Sequence, residues 1–480
     1  MYECPNCGGN LKFDIPSQQL KCAYCLTTCD PYDITKAQDA EESSDFDVTI
    51  FTCPQCGGEI LSTDTSAAEF CSFCGASTIL DSRISREMRP SYIIPFKQTK
   101  EACKQAYIAR MKHALFAPDE LKDKEYIDGF RGIYIPYWAY SITQQGTVSM
   151  KGEKSYRKGD YIYTDHYNLD GEIDACYYDL SYDASSSFSD DISQRIAPFY
   201  VKDSKKFTPS YLSGFYADTA DVDSRLYEKD AVKLANTTSY NRIKRTPEFS
   251  DLKISGEGND FSMTMQLNTY SGTPERVLYP VWFMSYRKNG RVAYATVNGQ
   301  SGKVAADIPV DIKKYALGTV LLAIPVFILL NFFFTIRPHV LLSCSCFLAC
   351  ASLAVYAFEL LDIYHKDRRT HDRGYLSGQS RKSSVPDAKK GPVSLPELLK
   401  PNSPAEHGKA PGFIFSLGAI LACVCVWVFN PVSDLWYYGG TVISFLGILL
   451  TIVAIIQKYN VLATQKLPQF ERHGGDDGAE

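Results

Sequence analysis

The sequence predicts a multidomain fold with two small cysteine-rich ribbons, an aromatic-rich α+β region and a four-helix transmembrane region. Three observations predict it: duplicated cysteine motifs at the N-terminus, dense tyrosine in the middle, and four long uncharged stretches near the C-terminus. A chain of 480 residues is too long for one compact domain. Its mean hydropathy of −0.18 therefore averages a polar part and an apolar part.

The N-terminal cysteines form two quartets with the same spacing, 49 residues apart. In each quartet, a Cys-Pro-x-Cys-Gly-Gly motif is followed by a Cys-x-x-Cys motif, with fourteen residues between the second and third cysteines. The eight residues are Cys4, Cys7, Cys22, Cys25, Cys53, Cys56, Cys71 and Cys74. Two thiolates three positions apart in a tight turn can face one metal ion, and the glycines let the backbone curl around it. The pattern predicts zinc ribbons at residues 1–30 and 50–80, each closed around one structural Zn²⁺.

Disulfides and an iron–sulfur cluster are the alternatives for these cysteines. The first residues carry neither a basic segment nor an apolar segment, so we expect no signal peptide. Two identical quartets in a reducing compartment favour zinc. Because a ribbon this small has almost no core, the metal is expected to supply most of its folding free energy. Cys29 lies outside the first quartet and is interpreted as a spare thiol.

The charge around the ribbons disfavours nucleic acid as a partner. Residues 50–80 contain no Lys or Arg, and the linker at 31–49 is acidic. The formal net charge of the whole chain is −5. Phosphate contacts need cationic side chains. Contact with a protein partner is the better interpretation.

Residues 90–310 predict a soluble α+β region. A strand at Ser91–Phe96 leads into a helix near Thr99, which Pro118 stops. A second strand follows at Gly132–Tyr140, and Gln145–Gly146 predicts a turn after it. The order strand, helix, strand returns later in the region, which suggests an internal duplication.

Nothing in the middle region predicts an enzyme. Asp165 and His166 form a tempting pair, but we expect them in a surface loop among tyrosines. No nucleotide-binding loop and no nucleophile–base motif occurs in the sequence. The aromatic residues are interpreted as core.

The C-terminal third contains four uncharged stretches of 19 residues or more. They are Tyr315–Thr335, Val340–Phe358, Gly412–Asn430 and Gly439–Gln457. Each is long enough to cross a ~30 Å hydrocarbon core as a helix. Their pairing predicts two transmembrane hairpins, at 315–358 and 412–457. Two buried hairpins of a soluble domain are the less favoured alternative.

Basic residues predict the orientation of these spans. The loop at 359–411 is expected to be disordered, and residues 361–411 hold ten Lys and Arg. The two connections on the opposite side are short and hold one Arg. By the positive-inside rule, the loop, the N-terminus and the tail at 458–480 are cytoplasmic in a multi-pass cell-membrane protein. No span carries a Lys, Arg, Asp or Glu, so an ion or proton pathway is not indicated.

Five motifs in one order resemble a known family. They are the CPxCGG ribbons, Ile94-Pro95-Phe96-Lys97, Tyr134-Ile135-Pro136-Tyr137-Trp138, Tyr279-Pro280-Val281-Trp282 and Asn298-Gly299-Gln300-Ser301-Gly302-Lys303. The chain resembles bacterial membrane proteins with transcription-factor-IIB-type zinc ribbons, often labelled primosomal helicase-like. The resemblance implies that the eight quartet cysteines bind metal. It also implies a partner of the flotillin-like (SPFH) or phage-shock type, which some members recruit to the bilayer. Two full ribbons and a long basic loop depart from the family pattern.

Together these features predict a membrane-anchored zinc-ribbon scaffold or adaptor that holds a cytosolic protein partner at the bilayer. Homo-oligomerisation is left open by the sequence. The alternatives are a nucleic-acid-binding membrane protein, or an enzyme or transporter with an unrecognised site.

Overall fold

The computed structural model describes residues 2–38, 45–62, 71–76, 81–245, 252–255, 265–288, 290–333, 337–369 and 411–467. Its helices are α1 (Pro31–Gln38), α2 (Lys100–Lys112), α3 (Lys124–Ile127), α4 (Asp190–Ile196), α5 (Glu228–Lys244), α6 (Ile312–Phe333), α7 (Pro338–Arg369), α8 (Pro411–Phe429) and α9 (Asp434–Leu462). Four short 3₁₀ turns lie between them.

The first ribbon has a small antiparallel sheet of its own. Its strands are β1 (Leu11–Asp14), β2 (Gln19–Cys22) and β3 (Thr28–Cys29). Leu11, Phe13 and Leu20 are buried on the same side of this sheet. They pack against residues of the large sheet region as well as against each other, because three short strands bury too little surface to stand by themselves.

All other described strands belong to one mixed sheet. They are β4 (Asp45–Thr52), β5 (Glu59–Ser62), β6 (Asp81–Met88), β7 (Tyr92–Ile93), β8 (Arg131–Lys158), β9 (Tyr161–Asp183), β10 (Lys205–Lys206), β11 (Tyr216–Asp218), β12 (Lys253–Ser255), β13 (Met265–Ser271), β14 (Glu275–Lys288), β15 (Arg291–Asn298), β16 (Val304–Ala306) and β17 (Gln465–Lys466).

The order along the main path of this sheet is β10-β7-β14-β8-β11-β5-β4-β6. Strands β9, β12 and β13 pair with β8, and β15 pairs with β14, β16 and β17. Pairs β7–β14 and β8–β11 are parallel, whereas the others are antiparallel. The second ribbon supplies β4 and β5, so it is built into the sheet, unlike the first.

The predicted aromatic residues form the core, as the sequence indicated. The ring of Phe96 stacks on Phe215, with centroids 4.5 Å apart, and lies 5.1 Å from Trp282. A side chain at Gly299 would meet the Phe96 ring at 2.6 Å, so only glycine fits there. The predicted helix after Thr99 is confirmed as α2, and the Thr99 hydroxyl caps it by accepting a hydrogen bond from the Ala102 amide at 3.2 Å. Its predicted end is wrong, because α2 ends at Lys112, before Pro118.

The turn predicted at Gln145–Gly146 is wrong. Strand β8 runs through both residues and continues to Lys158, where a tight turn leads into β9. Gly146 is paired on both sides, with Ile173 of β9 and Leu267 of β13, and this pairing keeps the backbone extended. The outer part of the β8–β9 hairpin, residues 152–167, is here called the arm tip. Asp165 lies on β9 in the arm tip, not in a surface loop as predicted.

Three helices are long and apolar enough to cross a membrane: Pro338–Asp362 within α7, Pro411–Phe429 and Asp434–Leu462. They correspond to three of the predicted spans. Helix α6 lies at the remaining predicted span, Tyr315–Thr335, and contains Pro325. Helix α7 continues to Arg369, into the segment predicted as a disordered loop. The rest of that loop, residues 370–410, lies outside the described residues.

The C-terminal end of α9 contacts both the segment before α6 and the strand β15. The Val310 amide, just before α6, donates to the side-chain oxygen of Asn460 in α9 at 2.7 Å, and the Asn460 amide group donates back to Val310 at 2.9 Å. Arg291 of β15 donates to the carbonyls of Val461 and Thr464 at 3.0 and 2.9 Å. After α9 the chain forms β17, which pairs with β15.

Candidate metal centres

Each predicted cysteine quartet is brought together by the fold. All four sulfur atoms of a quartet lie within 4.8 Å of one another, so each quartet could hold a metal ion. Each Cys-x-x-Cys turn is here called a knuckle, so each quartet has two knuckles. In the first quartet the sulfurs of Cys4 and Cys25 are 3.5 Å apart across the two knuckles, and those of Cys7 and Cys22 are 3.4 Å apart. The corresponding distances are 3.8 and 3.6 Å in the second. A tetrahedral ion with ~2.3 Å bonds to sulfur needs sulfur–sulfur edges of about 3.8 Å. Both quartets fit such an ion.

These distances do not fit disulfides. A disulfide bond is ~2.05 Å long, and all 16 cysteines are free thiols. The disulfide alternative from the sequence is therefore not supported by the geometry.

The same backbone turn builds all four knuckles. In each, the amide four residues after the first cysteine donates to the carbonyl of that cysteine, at 2.8 to 3.1 Å. The donor residue has a positive φ and is Gly8, Gly57 or Gly75 in three knuckles, with φ near 70°. In the fourth it is Leu26, at φ 63°. A leucine in this left-handed region is strained, because its Cβ approaches its own backbone.

The first quartet is open to solvent. Cys7 is exposed and Cys25 is half-buried. A hydrogen bond with Thr27 lowers the pKa of the Cys25 thiol to about 6, which favours the thiolate that a metal requires. In the second knuckle, Tyr24 is 80% exposed and Leu26 is 65% exposed.

The side of the first ribbon away from its second knuckle is fixed to the soluble region. The Phe13 amide donates to the Ser213 carbonyl at 3.0 Å, and the Phe13 ring lies 5.3 Å from Tyr211. Gln18 donates to the Phe96 carbonyl at 2.8 Å. The ribbon therefore has one docked side and one displayed side.

The second quartet is buried on all sides. Its four cysteines are each at most 3% exposed. Phe73, between Cys71 and Cys74, is 2% exposed, and its ring lies 6.4 Å from Phe283 of β14. The Tyr294 hydroxyl of β15 donates to the Phe73 carbonyl at 2.8 Å.

A polar contact completes this docking surface. Arg287 donates to the side-chain oxygen of Gln55 at 2.7 Å, across the other knuckle of the ribbon. Sequence reasoning missed Phe283, Arg287 and Tyr294 because nothing in a local pattern connects them with the cysteines. The replacement of the tyrosine of the first ribbon by phenylalanine in the second was the available signal of burial.

The remaining cysteines lie apart from the quartets or outside their ligand sets. Cys29 is half-buried beside the first quartet, and burial raises the pKa of its thiol. Cys103 lies on the buried face of α2, which agrees with its interpretation as a small apolar residue. Among the membrane cysteines, Cys423 is buried and Cys344, Cys350 and Cys425 are exposed on the helices.

Asp165 and His166 occupy the exposed arm tip. The His166 side chain is 73% exposed, and its Nδ1 lies 3.3 Å from a carboxylate oxygen of Glu153 on the neighbouring strand. This arrangement is a cross-strand polar pair.

No protein-family model matches the chain, and no solved structure matches it. It is 28% identical over 320 residues to an uncharacterized protein of Bacillus subtilis (strain 168), YdjG. The match covers 66% of this chain and 92% of that protein.

Proposed function

We propose that this protein is a membrane-anchored zinc-ribbon scaffold that holds a cytosolic protein partner at the bilayer. The observation that carries the proposal is the displayed knuckle of the first ribbon, where Tyr24 and Leu26 stand in solvent. Large side chains on a rigid support, backed by a docked ribbon, are typical anchors of protein–protein interfaces. The second ribbon serves as a buried brace.

Zinc is the ion that we propose for both quartets. Four thiolates in a tetrahedral arrangement select zinc or an iron centre, and a closed four-sulfur shell leaves no position for water. When bound, Zn²⁺ would cross-link the two knuckles of a ribbon and have a structural rather than a catalytic role. The cysteines hold it, and their backbone turns fix the direction of each sulfur.

We further propose that α6 is a fourth span. It has 22 residues and would rise about 33 Å, enough for a ~30 Å hydrocarbon core. The start of α6 and the end of α9 meet through Val310 and Asn460. A chain that enters and leaves a bilayer on one side crosses it an even number of times, which supports four crossings. The basic loop then favours cytoplasmic termini.

The partner class rests on the resemblance described above. We propose a flotillin-like or phage-shock-type protein, held by the first ribbon. An internal duplication of residues 90–310 also belongs to this proposal, since the helix and strand α2 and β8 have a later counterpart in α5 and β14, although residues 196–200, expected as the preceding strand, do not form one.

The experiment is site-specific photo-crosslinking in cells from a probe near the displayed knuckle, combined with imaging of the captured partner. The test variant replaces Tyr24 and Leu26 by serine. The matched control replaces Leu115 and Tyr178, which are 71% and 66% exposed elsewhere, by serine. We expect the test variant to lose the crosslink about tenfold or more and to release the partner from the membrane. The control should retain both.

Both variants must contain two zinc ions and melt like the wild type, because a misfolded ribbon would mimic a lost contact. A crosslinked partner that survives both serine substitutions contradicts the assignment to this knuckle. Recovery of no membrane-bound partner at all contradicts the scaffold.

A further inference from the structure

The arm tip has two faces of different chemistry. Opposite residues of an antiparallel pair share a face, and the register pairs Tyr156 with Tyr163 and Lys154 with Asp165. One face, here called the tyrosine face, consists of Lys154, Tyr156, Lys158, Tyr161, Tyr163, Asp165 and Tyr167. The other face is mainly polar, with the Ser155 and Thr164 hydroxyls 2.9 Å apart, and the exposed Ile162 is its apolar residue.

The tyrosine face is exposed. Tyr161 is 72% exposed, and the rings of Tyr156 and Tyr163 stack at 5.8 Å while each remains nearly half exposed. Tyrosines offer large contact areas at a low cost in side-chain entropy, which is why they are enriched in binding surfaces. A hairpin tip needs no such set for its own core, so this face is suited to contact with another surface.

The arm tip points away from the membrane helices. Strand β15 begins beside β17, which follows the end of α9, so the end of β14 that leads into β15 lies on the side of the membrane helices. The first residue of β8, Arg131, is paired with Phe283 in this half of β14. Because β8 is antiparallel to β14, it runs away from that side toward the arm tip. Its 20 residues from Ala139 to Lys158 can extend up to about 65 Å.

We propose that the tyrosine face binds the same face of a second copy of this chain. Two copies in one bilayer are related by a two-fold axis along the bilayer normal, because the helices must keep one orientation. When that axis is parallel to the arm and the two tyrosine faces meet, β8 of one copy lies against β9 of the other. Each residue of β8 then faces, in the other copy, the same β9 residue with which it is paired in its own chain.

In this arrangement Lys154 meets Asp165 of the partner subunit, and Asp165 meets the partner's Lys154. Tyr156 meets the partner's Tyr163, an aromatic pair. Lys158 meets the partner's Tyr161, which is a cation–π pair. Each contact therefore occurs twice, and no like charges face each other.

The interface is small, so its affinity in solution is low. Confinement to a bilayer raises the effective concentration of the two copies and makes such a contact significant. Energy transfer between two differently labelled populations of the full-length protein in the same proteoliposomes is therefore the suitable measurement.

The test uses two single charge reversals, Lys154→Glu and Asp165→Lys. Each alone places like charges together twice, so each should weaken self-association by roughly tenfold or more. Mixing the two variants restores both attractions, because Glu at 154 then meets Lys at 165. The mixture should associate like the wild type, and the double variant should do the same.

Glu153→Lys on the opposite face is the control, and it should associate like the wild type. Zinc content and melting temperature confirm the fold of every variant. A wild type without energy transfer, single reversals that still associate, or a mixture that stays apart would each overturn the proposal. Loss of association leaves partner capture by the first ribbon measurable, so the two proposals fail separately.

Discussion

The two ribbons share one cysteine pattern but have opposite environments. Position by position, the exposed Cys7 corresponds to the buried Cys56, and the displayed Tyr24 corresponds to the buried Phe73. The first ribbon keeps its own sheet and leaves one knuckle in solvent. The second contributes strands to the large sheet and inserts its knuckle under β14 and β15. Two units with one cysteine pattern therefore differ in exposure, with one knuckle in solvent and the other buried.

The difference arises from the neighbours and not from the metal-binding geometry. Sulfur separations differ by at most a few tenths of an ångström between the quartets. The second ribbon has Phe283 and Tyr294 against its knuckle, whereas the corresponding side of the first ribbon has solvent. A loss of metal should therefore have local consequences in one ribbon and global consequences in the other.

The largest contrast is expected between Cys56→Ser and Cys7→Ser. Each should reduce zinc content from two ions to one. Apparent binding energies of structural zinc are about 10–16 kcal/mol in isolated fingers, as large as the stability of a whole domain. Loss of the second site should unfold much of the large sheet and lower expression, whereas loss of the first should leave the melting transition of the sheet in place.

Zinc analysis combined with thermal melting of the detergent-solubilised protein checks this contrast. Equal melting temperatures for the two variants would show that the second ribbon is not a brace.

A smaller contrast is expected between Phe73→Ala and Tyr24→Ala, which both retain the metal ligands. Truncation of Phe73 leaves a cavity against Phe283 and should cost about 3–5 kcal/mol of unfolding free energy. Truncation of Tyr24 removes an exposed ring and should change it by less than about 0.5 kcal/mol. Denaturant titration of the detergent-solubilised full-length protein measures both values, and a comparable cost for the two would mean that Tyr24 is covered in the native protein.

The smallest effect is expected at the strained knuckle residue. Leu26→Gly relieves a left-handed leucine and should stabilise the first ribbon by about 0.5–1 kcal/mol. The reverse change, Gly75→Leu, should destabilise the second ribbon, since a side chain there meets Ser285 at 3.2 Å. Rates of zinc transfer to a chelator report on each site, and a faster release from Leu26→Gly would contradict the strain argument.

Local patterns in the sequence predicted the parts of the structure that are determined locally. The quartets follow from cysteine spacing, α2 follows from the Thr99 cap, and the three membrane helices follow from uncharged stretches. The burial of the second quartet was not predictable in this way. Its docking bond joins Phe73 and Tyr294, which are 221 residues apart in the chain.

The arm shows the opposite failure, in which a local signal misled. Glycine after a strand predicts a turn, but Gly146 lies between two partner strands whose ladders keep it extended. The tyrosines around Asp165 and His166 were expected in a surface loop, and they are exposed as expected, but they lie on paired strands. Composition alone does not distinguish an aromatic core residue from one that lies beyond the last neighbouring strand.

The pairing of β17 with β15 connects the last membrane helix to the large sheet. A change of bilayer thickness is met by a change of helix tilt. Because only two residues separate α9 from β17, we expect a change in the tilt of α9 to be transmitted to β15, the strand that carries Tyr294. The second cysteine quartet would then respond to the bilayer, whereas the first ribbon, which has its own sheet, would not.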